Sequence, residues 1–247
     1  MSYASALIRQ EKALEDCPHL SKEARQELAP LLEASAPEEG FREMINALKA
    51  EVRGFDLSAM AQGLGAEYSE GRLHIKCLGK DFIIRDNGNL ESICHVNVWV
   101  ELMLLNYCRM QGRGSTSGRW VSYGDLPSAS PTAPYFEKRF EEPLRAIADS
   151  HQEVFLDLME VFGGQQVEGF DADHAFIIHP LPKVPFLVLY TEAEDDFPSS
   201  LRVLLDSSVT TYIPKEAITY TGRGIVEMFK RIISKHQDGV SQKLMSM

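Results

Sequence analysis

The chain has 247 residues, 44% of them hydrophobic, which is ample for a packed core and excludes disorder over most of its length. A formal net charge of −11 repels phosphate backbones and anionic lipid, so neither nucleic acid nor a membrane surface is an expected partner. No run approaches the ~18 apolar residues of a spanning helix, and the opening MSYASALIRQEKALED carries charges where an export signal is apolar, which predicts a cytoplasmic protein.

Residues 1–54 read as a helical region. Ser21 precedes a segment in which Ala24, Leu28, Leu31 and Leu32 share a face, and after Pro37 the spacing recurs in Phe41, Met44, Ile45, Leu48 and Val52. From residue 55 to 236 the pattern predicts an α+β domain. Leu73, Ile75 and Cys77 alternate with His74 and Lys76, Phe82 to Ile84 follow a Gly79-Lys80 break, and DNGN at Asp86 to Asn89 is a turn, so a small antiparallel sheet is expected. Asn97 to Met110 is apolar nearly all round and predicts a buried helix. On it Asn97, Glu101 and Cys108 form one stripe, either the helix's exposed edge or a pocket lining with Glu101 as a ligand contact.

QGRGSTSGRW lacks the strand-before-helix order of a phosphate loop and predicts a helix end and a loop. Phe136, Phe140, Leu144 and Ile147 predict a helix that restarts at Pro143. Ser150-His151-Gln152-Glu153 reads as a capping box for a helix closed by Gly163-Gly164.

A strand is expected from Asp173 to Ile178, then an irregular crossing through HPLPKVP, then a central strand at Phe186 to Tyr190 that is apolar on both faces. His174 and His179 lie an odd number of residues apart and so point to opposite faces, which disfavours a shared ion. Glu192, Glu194, Asp195 and Asp196 follow at the strand end, as solvated acids or as a cation or ligand contact, and Asp196 is placed to cap a helix opened by Pro198. Ser199 to Leu205 fits either helix or strand, Val209 to Ile213 is β-prone, and Ile225 to Ile233 is a strongly amphipathic last helix. Residues 237–247 are expected to be a flexible tail.

Cys17, Cys77, Cys94 and Cys108 form no C-x-x-C pair, which argues against a zinc ribbon or an iron–sulfur motif. Cys94 and His95 with Cys77 and His74 offer up to four soft or borderline metal ligands. His74 and Cys77 face opposite sides of a strand, so no metal site is assigned and no cofactor is identified. Nucleophile-elbow, dinucleotide-binding and H-E-x-x-H patterns are absent.

From about Phe55 to Leu205 the ordered motifs LLNYCRMQG, GRWVSYGDLP, YFEKRFEEPL, FGGQ, GFDADHAF, PLPKVPF and EDDFPSSLRVLLDSSVTTYIP resemble a domain-of-unknown-function family, number 3786, of mainly anaerobic bacteria and archaea. Its recurrent positions fall on residues that include Arg139, Asp171, Asp196 and Asp206. The resemblance implies an accessory or ligand-binding protein of anaerobic metabolism that handles a corrinoid or another metallocofactor, with a metalloprotein or corrinoid-protein partner. Some relatives carry an added iron–sulfur segment, and no such cysteine-rich segment occurs here. Arg139, Asp171, Asp196 and Asp206 are expected around one ligand cleft, and a structural salt-bridge network would use the same residue types. The rival reading is an enzyme in which Arg139 orients a small anionic substrate and Asp171 or Asp196 acts as acid or base. A third is a structural subunit that docks through an exposed apolar helix face.

Overall fold

The computed structural model describes Ser21 and residues 38–93, 96–112, 114–195 and 197–237. The expected helix from Ala24 to Leu32, Pro37, the Cys94-His95 pair, Asp196 and the tail beyond Gln237 lie outside these residues. In chain order come α1 (Glu38–Val52), α2 (Leu57–Ala61), β1 (Glu67–Ser69), β2 (Arg72–Cys77), β3 (Lys80–Arg85), β4 (Leu90–Glu91) and α3 (Val98–Met110). The second half holds β5 (Trp120–Val121), α4 (Ala133–Phe136), α5 (Glu142–Ser150), α6 (Gln152–Val161), β6 (Gln165–Gln166), β7 (His174–Leu181), β8 (Val184–Thr191), β9 (Ser200–Asp206) and α7 (Lys215–Gln237). This is an α+β fold. Its strands divide between two antiparallel sheets, β1-β2-β3-β4 and β5-β9-β8-β7-β6.

Helix α1 presents Ile45, Leu48 and Val52 inward, as its apolar period requires, and joins the same core as the sheets. Met44, on the same expected face, stays 41% exposed. Helix α3 is buried along nearly its whole length, opened by the Asn97 side chain, which accepts from the Trp99 and Val100 amides, and closed by Gln111 in the left-handed region. The Tyr107 hydroxyl donates to the Leu64 carbonyl (2.8 Å) and accepts from the Lys183 amide (3.1 Å), which ties α3 to the β7–β8 turn.

The alternation of β2 holds, with Leu73, Ile75 and Cys77 buried. Strand β8 occupies the middle of the five-stranded sheet, and its unbroken apolar run fits cover on both faces. HPLPKVP is not an irregular crossing. β7 and β8 form a hairpin with Pro182-Lys183 as a two-residue turn, and the prolines are accommodated by a register shift between Ile178 and Leu181. The Pro180 carbonyl accepts the Leu78 amide (3.2 Å), a backbone bond that joins the two sheets.

Helices α4 and α5 are continuous through a wide turn at Glu137–Glu141, where the Glu142 amide reaches the Glu137 carbonyl. Pro143 explains the widening: it has no N–H to give the Arg139 carbonyl, and its ring would press on that carbonyl in a regular helix. The aromatic series survives the break. Tyr123 stacks on Phe136 (4.4 Å between centroids), Phe136 meets Phe140 edge-on (5.4 Å), and Phe140 reaches Phe186 of β8 (6.0 Å).

Two local expectations are overturned. The chain from Ser200 pairs with β8 as strand β9, so Pro198 opens no helix. Val209–Thr211 is a 3₁₀ turn, because Val209, Tyr212 and Ile213 are drawn into the core by packing that local strand preference does not register.

Strand β9 is paired by β5 only at Leu205 and Asp206, which leaves the Val203 amide on an open edge. Glu141 reaches across and accepts it (2.7 Å) in place of a strand. Burial raises the Glu141 carboxyl above its ordinary value, against the lowering effect of the Val203 hydrogen bond. A carboxyl with a raised folded value contributes stability at low pH that is lost as pH rises through that value. Glu141→Gln, which keeps an acceptor without the charge, is therefore expected to match or exceed the parent chain at pH 7 and to lose that advantage below about pH 4.5. Glu141→Ala orphans the amide and should cost about 1–3 kcal/mol in urea unfolding.

Candidate functional site

The sheet register decides which of the expected site residues meet. His174, Tyr190 and Leu201 stand in neighbouring positions across β7, β8 and β9, at the end of the sheet that Asp171 precedes and the Glu194–Phe197 bridge follows. Asp206 closes β9 six residues beyond Ser200, about 20 Å away along the strand. Asp206 and Asp171 therefore lie at opposite ends of the sheet. Arg139 is on the outward face of the wide turn, its guanidinium 5.6 Å from the Tyr135 ring centre, and Asp171 is exposed in the loop before β7. Glu101 pairs with Lys49 of α1, so the Asn97–Glu101–Cys108 stripe includes a cap, an interhelical ion pair and a fully buried thiol. Burial pushes the Cys108 thiol up to about 12, which removes it as a nucleophile at neutral pH.

Asp206 is 1% exposed, and its carboxylate accepts from the Ser117 amide (3.0 Å) and hydroxyl (2.9 Å), the Gly118 amide (2.7 Å), and the Ser208 amide (2.9 Å) and hydroxyl. Burial alone would raise this carboxyl. The hydrogen bonds from Ser208 and Ser117 together outweigh that effect and hold it at about 2. The arrangement pins the glycine-serine loop to the end of β9.

A different polar cluster forms where α5 breaks into α6. Ser150 is the last residue of α5 and no capping box forms; His151, at φ −147° and ψ 51°, makes the break, and α6 starts at Gln152 without a side-chain cap. The Tyr190 hydroxyl (3.0 Å) and Ser199 hydroxyl (2.9 Å) both donate to Asp149, and Arg145 bridges Asp149 (3.3 Å) and Ser199 (3.0 Å). Burial and the bond to Asp149 push the Tyr190 phenol up to about 12, so it remains a donor. Against Tyr190 stacks the His174 ring (6.1 Å, 16°). Its Nε2 lies 2.9 Å from Glu192, which Gln152 also holds, and the Glu192 amide donates to Asp173 (2.8 Å). In a neutral ring, Nε2–H given to Glu192 leaves the His174 Nδ1 as an acceptor.

On the side of the break that faces α7 lies a groove of about 300 Å³. Pro143, Ala146, Ile147 and Ile233 make its apolar part, and Ser150, His151, Lys230 and Ser234 its polar part. The helices supply these residues at three- and four-residue spacing, so each contributes one face. Neither the Lys230 ammonium nor the His151 imidazole has a side-chain partner among the described residues, and no carboxylate lines the groove.

His174, Glu192 and Gln152 escape a reading of sequence alone because their meeting depends on the β7–β8 register. A two-residue turn at Pro182-Lys183 alone would set position 174 across from 191; the register shift between Ile178 and Leu181 sets it across from Tyr190 instead, one alternation from Glu192, and local sequence does not announce that shift. The α5–α7 groove has no sequence signal either. Among the described residues no three of His, Cys, Asp and Glu converge as metal ligands, and no helix is long and apolar enough to cross a membrane.

No curated protein and no solved structure matches the chain. The family model described as Domain of unknown function (DUF3786) matches residues 56–228, which runs from the cap of α2 into α7 and takes in both sheets, the α5–α6 break and most of the groove's residues. A match over that much of the chain makes this protein a member of the DUF3786 family.

Proposed function

We propose that this chain is a ligand-binding accessory protein rather than an enzyme, with the α5–α7 groove as its ligand site. The observation that carries the reading is the placement of Lys230 and His151, two potential cationic donors without side-chain partners among the described residues, beside an apolar floor. Four of the carboxylates, by contrast, are engaged: Asp206 by five donors, Asp149 by three, Glu192 by two side chains and Glu101 by Lys49. An acid held in this way by structural partners has little freedom to exchange a proton with a substrate.

The finer part of the reading, service to a corrinoid or another metallocofactor in anaerobic metabolism, is supported by the family resemblance. At about 300 Å³ the groove is at the small end of ligand sites and does not enclose a tetrapyrrole-sized ring, so such a group would be met on a metalloprotein partner. The test is anaerobic purification from a host supplied with cobalamin, followed by native mass spectrometry, an absorption spectrum and elemental analysis of one sample. A small molecule retained by the chain and lost from Lys230→Met supports the binding site, and a corrinoid or metalloprotein that copurifies supports the partner. A chain that carries nothing and captures nothing refutes both.

One arrangement favours an enzyme instead. His174 oriented by Glu192 is an acid–base pair, and Gln152 connects it to the groove through the neighbouring His151. That reading requires His174→Ala to abolish a turnover while ligand retention in the groove persists.

A further inference from the structure

The geometry points to an organic monoanion with a short aliphatic body as the ligand of the α5–α7 groove, its carboxylate held by Lys230 and His151 and its hydrocarbon laid on Ile147 and Ile233. This rests on the binding reading above and specifies the class of ligand. Asp and Glu outnumber Lys and Arg by 36 to 25 in this chain, yet no acid lines the groove. Two cations drawn in from solvent elsewhere are neutralised by a carboxylate: Lys49, 23% exposed along its side chain, has Glu101, and Arg223, at 14%, has Glu227. The half-buried His151 and the nearby Lys230 have none among the described residues, so the groove presents a positive place that an outside anion can neutralise.

The floor separates classes of anion. Inorganic phosphate or sulfate would meet the donors and leave the apolar wall wet, whereas an alkyl chain displaces water from Ile147 and Ile233. A neutral alcohol of the same length covers the wall without a charge for Lys230. The small volume admits a body of a few carbons and excludes a nucleotide. Ser150 and Ser234 flank the donors; the Ser234 hydroxyl donates to the Arg231 carbonyl (3.0 Å), and the Ser150 hydroxyl can turn to a second carboxylate oxygen.

The test is calorimetric titration of the full chain with hexanoate, 1-hexanol and inorganic phosphate in parallel. Hexanoate is expected to bind at least about tenfold more tightly than either of the others. Lys230→Met should weaken hexanoate about tenfold and leave 1-hexanol unchanged, since the exposed ammonium is lost while the apolar wall stays; Ile233→Ser should weaken hexanoate and 1-hexanol alike. Equal binding of hexanoate and 1-hexanol, equal binding of hexanoate and phosphate, or a Lys230→Met chain that binds hexanoate as the parent does, each overturns the assignment. If hexanoate fails while purified protein retains a neutral or cationic ligand, the class is overturned and the binding reading stands; no retained ligand and no hexanoate binding overturns both.

Discussion

A Gly222→Ala chain should be less stable than its parent by about 1–3 kcal/mol, although alanine is the better helix former. Gly222 lies within α7 where that helix crosses the wide turn before α5, and a Cβ there would sit 2.3 Å from Cδ1 and 2.4 Å from Cγ of Phe140. Helix propensity favours the substitution by about 0.8–1.0 kcal/mol, so the overlap has to exceed that for the sign to be destabilising. It should, because Phe140 has no room to move: it is fully buried between Phe136 and Phe186. Urea unfolding of Gly222→Ala, Phe140→Leu and the double variant separates the contributions. The double variant should lose less than the sum of the two singles, since the smaller side chain relieves the overlap. Simple additivity would show that α7 shifts to accommodate the methyl. Such a shift would also move Lys230 and Ile233, so ligand retention in the groove is a second readout of the same variant.

The second large effect concerns Asp206. Asp206→Asn should cost about 2–4 kcal/mol, because it removes the charge that five donors converge on and turns an amide N–H₂ toward some of them. The pH dependence carries a definite sign. With a folded value of about 2 against an ordinary value of 3.8, the ionised carboxyl contributes stability that is complete above about pH 4 and is lost as pH falls through about 2. That contribution amounts to about 2 kcal/mol. The stability gap between the parent chain and Asp206→Asn should therefore narrow between pH 4 and pH 2.5, and a gap that stays constant over this range contradicts the hydrogen-bond account. Limited proteolysis adds a local measure. Without the Asp206 anchor the loop around Ser117 and Gly118 should be cut faster, while the β7–β8 hairpin keeps its protection.

Asp206 lies away from the groove's residues, which makes it a control for the functional tests. An Asp206→Asn chain that remains folded at neutral pH should still retain a groove ligand, because Asp206 closes the far end of β9 and lines no part of the groove. Lys230→Met should show the converse, with ligand retention lost and unfolding little changed for an exposed side chain.

Repeating local patterns were enough for much of the architecture. The 3.6-residue spacing of Ile45, Leu48 and Val52, the alternation of Leu73, Ile75 and Cys77, and the unbroken apolar run of β8 each state which face is buried, because helix and strand geometry fix where successive side chains point. The break at Pro143 was legible for a similar reason, since proline's missing N–H acts within one turn. Other features depended on partners distant in the chain. Strand β9 could be chosen over a helix only once β8 supplied its hydrogen bonds, and Val209–Ile213 turned inward because the core had room for them. The expected cleft of Arg139, Asp171, Asp196 and Asp206 rests on the family resemblance, which carries no strand register, and pairing Asp206 with Trp120 while His174 pairs with Tyr190 puts Asp206 and Asp171 at opposite ends of one sheet. The meeting of His174 with Glu192 and Gln152 follows from that register too. The groove arises from the packing of α5 against α7, some 80 residues apart in the chain. Local periodicity therefore determined which faces are buried, and only the tertiary structure decided which polar residues share a site, because that depends on register and helix packing between segments far apart in sequence.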